Sequence, residues 1–159
     1  MKFKKLIIRI LIILLLLVSL LCAFFYRASA QVRKTQKEVT KLAQKYAHLE
    51  TVNNFYLYNG SSTYYTVTGT NDKAQKVLVT VPKKDGKIII QNQNNGITEN
   101  DARKKVQEEF HPEKITKVEF GYYKNQPIWE VTIENSDEQI SYYLLSFKDG
   151  NVVHKVENF

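Results

Sequence analysis

The hydrophobic pattern divides the chain into one long apolar run and a series of shorter alternating segments. No charged residue occurs from Ile10 to Tyr26, and Leu6–Arg9 extend this run to about 20 residues, enough for a helix to cross a hydrocarbon core of roughly 30 Å. Basic residues precede the charge-free run, and positive flanks stay on the cytoplasmic side of a membrane. The pattern predicts a single-pass anchor in the cell membrane, with the C-terminal part outside the cytoplasm.

A cleaved signal peptide is the alternative interpretation of this segment. Ala28-Ser29-Ala30 resembles an A-x-A cleavage site. The apolar run is longer than the usual ~7–15 residues, however, and Arg27 stands just before the site. We therefore predict an uncleaved anchor, although both alternatives export the remainder. Cys22, the single cysteine, lies in the apolar run, so the exported part forms no disulfide and needs a core of its own.

The exported part repeats itself at a constant offset of 64 residues. Lys84–Gly86 falls on Lys148–Gly150, Val67-Thr68 falls on Val131-Thr132, and Tyr65 falls on Trp129. Further matches in the same register are Asn71 with Asn135, Gln75 with Gln139, and Tyr58 with Tyr122. A common register across so many positions indicates two copies of one supersecondary unit.

Each copy shows a helical stripe followed by four strand-like runs. The first stripe consists of Val32, Val39, Leu42, Ala43, Tyr46 and Leu49, and the strands predicted after it are 53–58, 63–69, 76–81 and 87–91. In the second copy Thr98 and Asp101 form a capping-box pattern, and His111-Pro112 ends the helix. The strands predicted after that helix are 114–122, 128–134, 139–147 and 152–156. Asp149-Gly150 favours a tight hairpin, because such a turn needs φ > 0.

These elements predict an α+β fold: an N-terminal transmembrane helix followed by two repeated modules, each a helix on an antiparallel sheet. We place a cytoplasmic tip and transmembrane anchor at 1–27, the first module at 28–95 and the second at 96–159. A module of about 60 residues is marginal alone, so the two are expected to pack together.

The net charge of +7 does not indicate a nucleic-acid partner. Five of the 23 basic residues belong to the anchor and its flank, which leaves 18 basic against 16 acidic residues elsewhere, an ordinary solvated surface. The three histidines form no metal-ligand motif, and no nucleophile elbow or phosphate loop is present. We therefore predict no enzymatic activity, no catalytic residue, no metal, no cofactor and no small-molecule substrate.

Aromatic residues are abundant in the predicted strands. Adjacent residues of a strand point to opposite faces, so one member of Tyr64-Tyr65 and of Tyr142-Tyr143 should be core and the other outward. Either these rings are core, or some of them form an exposed strip that binds a partner, since Tyr and Trp are enriched in binding hot spots. The candidate partner-binding residues are Tyr64, Tyr65, Tyr122, Tyr123, Trp129, Tyr142 and Tyr143.

The second copy resembles a PepSY-type domain, through Ile97–Ala102, Pro112, Ile128–Val131, Tyr142-Tyr143 and Phe147–Gly150. With the anchor and the tyrosine-rich first copy, the whole chain resembles the TseB/YpmB-like family of cell-wall elongation regulators of Gram-positive bacteria. The resemblance implies a tandem cystatin-like or PepSY-like fold without catalytic residues. It also implies that the protein binds a class B penicillin-binding protein and regulates peptidoglycan synthesis.

The sequence leaves two other functions open. PepSY-like and cystatin-like folds suggest an inhibitor of a secreted or membrane protease. Many PepSY domains have Asp, a spacer and Gly where this chain has Lys-Asp-Gly, which weakens that analogy. The other possible function is direct binding of lipid or wall polymer through basic residues, namely Arg33, Lys34, Lys37, Lys41 and Lys45.

Overall fold

A computed structural model of the chain describes residues 2–84, 86–136 and 139–157. Two helices, a short 3-10 turn and eight strands follow one another along these residues. They are α1 (Lys2–Ala47), β1 (Leu49–Asn59), β2 (Thr63–Asn71), β3 (Lys76–Pro82), β4 (Ile89–Asn92), the 3-10 turn (Gln93–Asn95), α2 (Glu99–Phe110), β5 (Lys114–Tyr123), β6 (Gln126–Glu134), β7 (Ile140–Ser146) and β8 (Val152–Val156). The chain divides into two compact units, the first ending at Glu38 and the second beginning at Val39.

The first unit is helical and apolar. Its most apolar 18-residue window has a mean hydropathy of 3.1, and none of that window is buried within the protein. By length and composition this helix can cross a membrane, in agreement with the predicted anchor. The basic side chain of Arg33 donates from Nη2 to the Tyr26 carbonyl oxygen at 2.8 Å and from Nη1 to Ser29 Oγ at 2.7 Å.

In the second unit the last turns of α1 cover one face of the first sheet, whose strand order is β1-β2-β3-β4. The helix buries Val39, Ala43 and Ala47, which recur every four residues and so form one row. Val67 and Val79 of the sheet lie in the same core cluster. We call the segment Val39–Ala47 together with this sheet the first module.

The predicted helical stripe was too wide and too long. Val32 and Tyr46 were included in it but are 43% and 52% exposed. Leu49 is buried, but it is the first residue of β1 rather than part of the helix. The helix contacts the sheet along a narrow row because two of its three buried residues are alanines, and the larger Tyr46 lies beside that row. His48 ends the helix with a φ of 52°, a left-handed conformation that an α-helix cannot continue.

The second module consists of α2 and a sheet with strand order β5-β6-β7-β8. The predicted capping box is confirmed: the Asp101 amide donates to Thr98 Oγ1, and the Asp101 carboxylate accepts from the Thr98 amide at 2.8 Å. His111 ends α2, as predicted, with a φ of 49°. Ala102 and Val106 are fully buried against the sheet.

The structure follows the predicted repeat closely. When the first module is shifted by 64 residues, β3 coincides with β7, and every other strand end agrees to within one residue. The two helices end one residue apart in the same register, each at a histidine with positive φ. Gly150 has a φ of +73°, as the predicted Asp-Gly turn requires, whereas Asp85 of the equivalent first-copy turn lies outside the described residues.

The two modules pack together, as expected, because residues of the first module enter the core of the second. Tyr56 and Leu78 of the first module lie in the same buried cluster as Trp129, Val106 and other residues of the second. The Tyr56 ring meets Trp129 edge-on, with ring centroids 5.2 Å apart. Two residues further along β1, Tyr58 packs on Ile128 from the other side of the second sheet. Tyr56 and Tyr58 thus contact opposite faces of one sheet.

A candidate partner-binding face

α2 covers one face of the second sheet, whereas Tyr58 of the first module covers only part of the opposite face, where Glu119, Ile128, Thr132 and Leu144 are buried. Because strand side chains alternate, residues such as Phe120, Trp129 and Leu145 point towards α2, and their immediate neighbours point the other way. We call the second set the open face. It consists of Lys117, Glu119, Tyr123, Ile128, Glu130, Thr132, Tyr142, Leu144 and His154.

Two carboxylates stand at the centre of the open face. Glu119 of β5 and Glu130 of β6 are directly opposite partners in the register of the sheet. Glu119 is only 8% exposed, and both of its oxygens are engaged: Oε1 lies 2.8 Å from Lys117 Nζ, and Oε2 accepts from the Leu57 amide at 2.6 Å. Within the described parts of the chain, Glu130 forms no ion pair. The first module therefore meets the open face through a backbone group held by a buried carboxylate.

Burial governs the protonation of both acids. It is the main cause that raises the pKa of Glu119, against the opposing effects of Lys117 and the Leu57 amide. The pKa of Glu130 is raised by burial and further by the Glu119 carboxylate, with Lys117 opposing. Water-poor surroundings disfavour the charged form of a carboxyl group. They also strengthen its attraction to a positive group when it is ionised.

Aromatic rings cover the apolar part of this face. Tyr58 is buried against Ile128 and Leu144, and burial raises the pKa of its hydroxyl to about 12. Tyr123 is half-buried and stacks on the exposed His154, with ring centroids 5.1 Å apart and an angle of 12° between the planes. The open face thus has stacked aromatic rings on the same side of the sheet as two carboxylates that lie opposite each other on neighbouring strands.

Comparison with known proteins identifies the family. Residues 39–82 match the family model described as the cell wall elongation regulator TseB-like domain, and residues 96–154 match the PepSY model, described as peptidase propeptide and YPEB domain. The probable cell wall elongation regulator TseB of Bacillus subtilis (strain 168) is 30% identical over 146 residues, which is 91% of either chain. This chain belongs to the TseB family of cell wall elongation regulators.

A solved structure supports the fold of this TseB family member. The YpmB protein from Bacillus subtilis is 28% identical and superposes with a TM-score of 0.66, covering 76% of this chain and 95% of its own. The family resemblance inferred from the sequence and the predicted α+β fold are thereby confirmed.

Three of the seven candidate aromatic residues do not lie on any surface. Trp129, Tyr143 and Tyr122 are 1%, 4% and 7% exposed. Trp129 Nε1 donates to the Ile97 carbonyl oxygen at 2.9 Å, and the Tyr143 ring packs on Phe110 with centroids 4.1 Å apart. Strand alternation places these three rings in the core that α2 and the first module cover, which is the first of the two alternatives that the sequence left open for them.

The other four candidates are half-buried but lie in different places. Tyr65 stacks on Phe55 on the helix side of the first sheet, with centroids 6.3 Å apart. Tyr64 points the other way and meets Tyr122 at 5.4 Å. Only Tyr123 and Tyr142 lie together on the open face.

The residues that give the open face its charge were not among the predicted candidates. Glu130 follows Trp129, so alternation places it on the opposite face once the burial of Trp129 is known. The opposition of Glu119 and Glu130 depends on the strand register, which a single sequence specifies only weakly. Within the described residues, no group of three or more His, Cys, Asp or Glu side chains is arranged to hold a metal ion. The chemistry offered by the face is hydrogen bonding, ion pairing and ring stacking.

Proposed function

We propose that this TseB family member is a non-enzymatic, membrane-anchored extracytoplasmic protein that binds a class B penicillin-binding protein and regulates it during peptidoglycan elongation. Membership of the family supports a role in cell wall elongation. The apolar N-terminal helix supports an anchor beside an enzyme that works at the membrane. The open face of the second sheet supports a protein partner.

The observation that carries this proposal is the composition of the open face. Tyr123, stacked on His154, and Tyr142 present half-buried rings, and the Glu130 carboxylate beside them lacks an ionic partner within the described residues. Tyrosine is enriched in binding hot spots, which lie in desolvated surroundings. A basic side chain of the partner would pair with Glu130 while its apolar part contacts the rings.

The environment of the two glutamates supports a non-enzymatic role. A general acid or base must reach a substrate proton, but both Glu119 oxygens are already held by Lys117 and the Leu57 amide. Its position between the modules makes Glu119 a structural group. Glu130 alone then remains for recognition.

The proposal is tested by crosslinking the full-length tagged protein in intact membranes and identifying captured proteins by mass spectrometry. Enrichment of a penicillin-binding protein by the wild type, lost in Tyr123→Ala and Tyr142→Ala, is the expected result. Tyr65→Ala is the matched control, because Tyr65 lies on the first sheet, towards α1. Failure to capture any wall-synthesis enzyme would contradict the proposal.

A protease inhibitor is the second candidate, favoured by the match of residues 96–154 to a model that includes peptidase propeptides. An inhibitor of this kind needs a segment that enters an active-site cleft. The hairpin between β5 and β6 turns on only Lys124-Asn125, which is short for that purpose. Recovery of a protease from the crosslinked membranes, without a wall-synthesis enzyme, would favour this second function.

A further inference from the structure

A groove of about 830 Å³ lies at one end of the second sheet, where it meets the first module. This volume is in the range of sites that enclose a ligand or a short peptide segment. Its lining includes Gln91, Asn95, Gln126, Pro127, Asn151 and Val153. We call it the end groove.

The walls of the end groove are held in place by the connection between the modules. The Ile97 amide donates to the Phe147 carbonyl oxygen at 2.7 Å, and Gln93 Nε2 donates to the Ile97 carbonyl oxygen at 3.1 Å. Gly96 lies so close to the Phe147 carbonyl that a Cβ there would overlap it. The groove is therefore preformed, which lowers the entropy lost when a segment binds.

Both free strand edges of the fold border the end groove. The edge strands β1 and β5 face each other, because the Leu57 amide on the outer edge of β1 donates a hydrogen bond to the Glu119 side chain of β5. The remaining edges are β4, which contributes Gln91 to the groove, and β8, which contributes Val153. Strand edges offer unpaired backbone groups to an incoming chain. The register shift beside Val153 interrupts the pairing of β8 at that point, and Val153 is 40% exposed.

The chemistry of the lining matches a polypeptide backbone. Four of the lining residues carry side-chain amides, which have the same donor and acceptor as a peptide group. Among the described residues, the Gln91 Oε1 atom is buried without a hydrogen-bond partner. Among the described residues that line the groove, Lys148 and Asp149 are charged and have opposite signs, so this lining has no excess charge to attract a polyanion. Pro127 and Val153 add apolar surface for one side chain.

We propose that the end groove binds an extended, uncharged segment of a partner protein, which lays its backbone along the free strand edges and an apolar side chain against Val153. The inference rests on the proposed function, in that the segment belongs to the wall-synthesis enzyme. The groove is continuous with the open face: Gln126 and Ser146 line it and, by strand alternation, point to the same side as Ile128. One partner can therefore occupy both surfaces.

A photo-reactive amino acid at position 153 of the full-length protein in intact membranes tests the inference. The same group at position 104, on the exposed outer face of α2, is the control. We expect position 153, and not position 104, to crosslink to one short segment of a wall-synthesis enzyme, identified by mass spectrometry. If general crosslinking captures the enzyme but position 153 does not, the groove inference fails and the proposed function stands. If neither general crosslinking nor the group at position 153 captures the enzyme, the proposed function itself fails.

A pair of substitutions distinguishes binding in the groove from binding along a strand edge outside the groove. Val153→Asp places a charge in the groove and should lower recovery of the enzyme at least tenfold. Ile90→Asp changes an equally exposed apolar residue of β4 that does not line the groove, and it should leave recovery unchanged. Equal effects of the two substitutions would overturn the inference. Thermal unfolding of both variants, followed by circular dichroism, shows whether each is folded.

Discussion

Glu119 and Glu130 face each other across β5 and β6, and only Glu119 has an ionic partner among the described residues. Like charges directly opposite each other in a sheet are destabilising. Lys117 and the Leu57 amide compensate for the burial and repulsion of the Glu119 charge, whereas the repulsion that acts on Glu130 is not compensated in this way. The folded protein therefore carries a local electrostatic cost whose size depends on pH.

Replacement of Glu130 by Gln should stabilise the fold at neutral pH. The pKa of Glu130 is raised in the folded state from its ordinary value of 4.5, so folding favours its protonated form. Its contribution to stability is fully present below pH 4.5 and is lost as the pH rises through the raised pKa. The free energy of unfolding of Glu130→Gln minus that of the wild type should thus be near zero at low pH and positive at pH 7. Urea unfolding at several pH values measures this difference.

The difference is the quantity to measure because other carboxyl groups act in the opposite sense. The pKa of Asp101 is lowered by its hydrogen bonds with Thr98, so the stability from that group is lost as the pH falls. The pKa values of Asp149 and Glu157 are lowered as well. Glu108→Gln, at an exposed position of α2, is the matched control. A pH-independent difference for Glu130→Gln would contradict the interpretation.

Removal of the Tyr56 hydroxyl should weaken the contact between the modules. This hydroxyl donates to Glu99 Oε2 at 2.8 Å and accepts from Asn54 Nδ2 at 2.9 Å. Tyr56→Phe keeps the ring on Trp129 but loses a hydrogen bond to a carboxylate, at a cost of about 1–2 kcal/mol. Trp129 is the single tryptophan, so its fluorescence follows unfolding at this boundary. Tyr65→Phe, the same change away from the boundary, should cost less, and equal losses would contradict the role of the hydroxyl.

Gly121→Ala should destabilise the protein through a contact between the modules. The Tyr58 ring lies so close to Gly121 that an added methyl group would overlap it. Overpacking of this kind typically costs about 1–3 kcal/mol. In a Tyr58→Ala background the loss should be smaller by at least about 0.5 kcal/mol, because the two nearest obstructing atoms, Cγ and Cδ1 of the ring, are removed. Strict additivity of the two substitutions in chemical unfolding would argue against the contact.

Loss of the cap at the start of α2 should lower the free energy of unfolding by an amount similar to that expected for Gly121→Ala. Here the cause is local to the first turn of the helix. Thr98 accepts from the Asp101 amide, one of the free donors at the start of the helix. Thr98→Ala should cost about 1 kcal/mol, and Thr98→Ser, which keeps the hydroxyl, only a few tenths. Thermal unfolding followed by far-ultraviolet circular dichroism measures both. A serine variant as unstable as the alanine variant would show that the methyl group, not the cap, matters.

Local signals in the sequence were sufficient to predict the elements. The capping box at Thr98 and the stop at His111 depend only on neighbouring residues, and the 64-residue register carried these assignments from one copy to the other. The burial of Trp129 and Tyr122 was not predicted, because alternation separates the two faces of a strand without indicating which face a helix covers. Tyr56 and Tyr58 contact opposite faces of the second sheet because β1 lies along the edge of β5. This arrangement of the two modules cannot be predicted from the hydrophobic periodicity of either one.

Because Tyr56 and Leu78 complete the second core, the second module depends on the first for its stability. A gene that lost the first copy would encode a PepSY-like module with an uncovered apolar surface around Trp129. Such a product would expose a contiguous apolar patch and would be prone to aggregation. We therefore expect the two copies to unfold as a single cooperative unit.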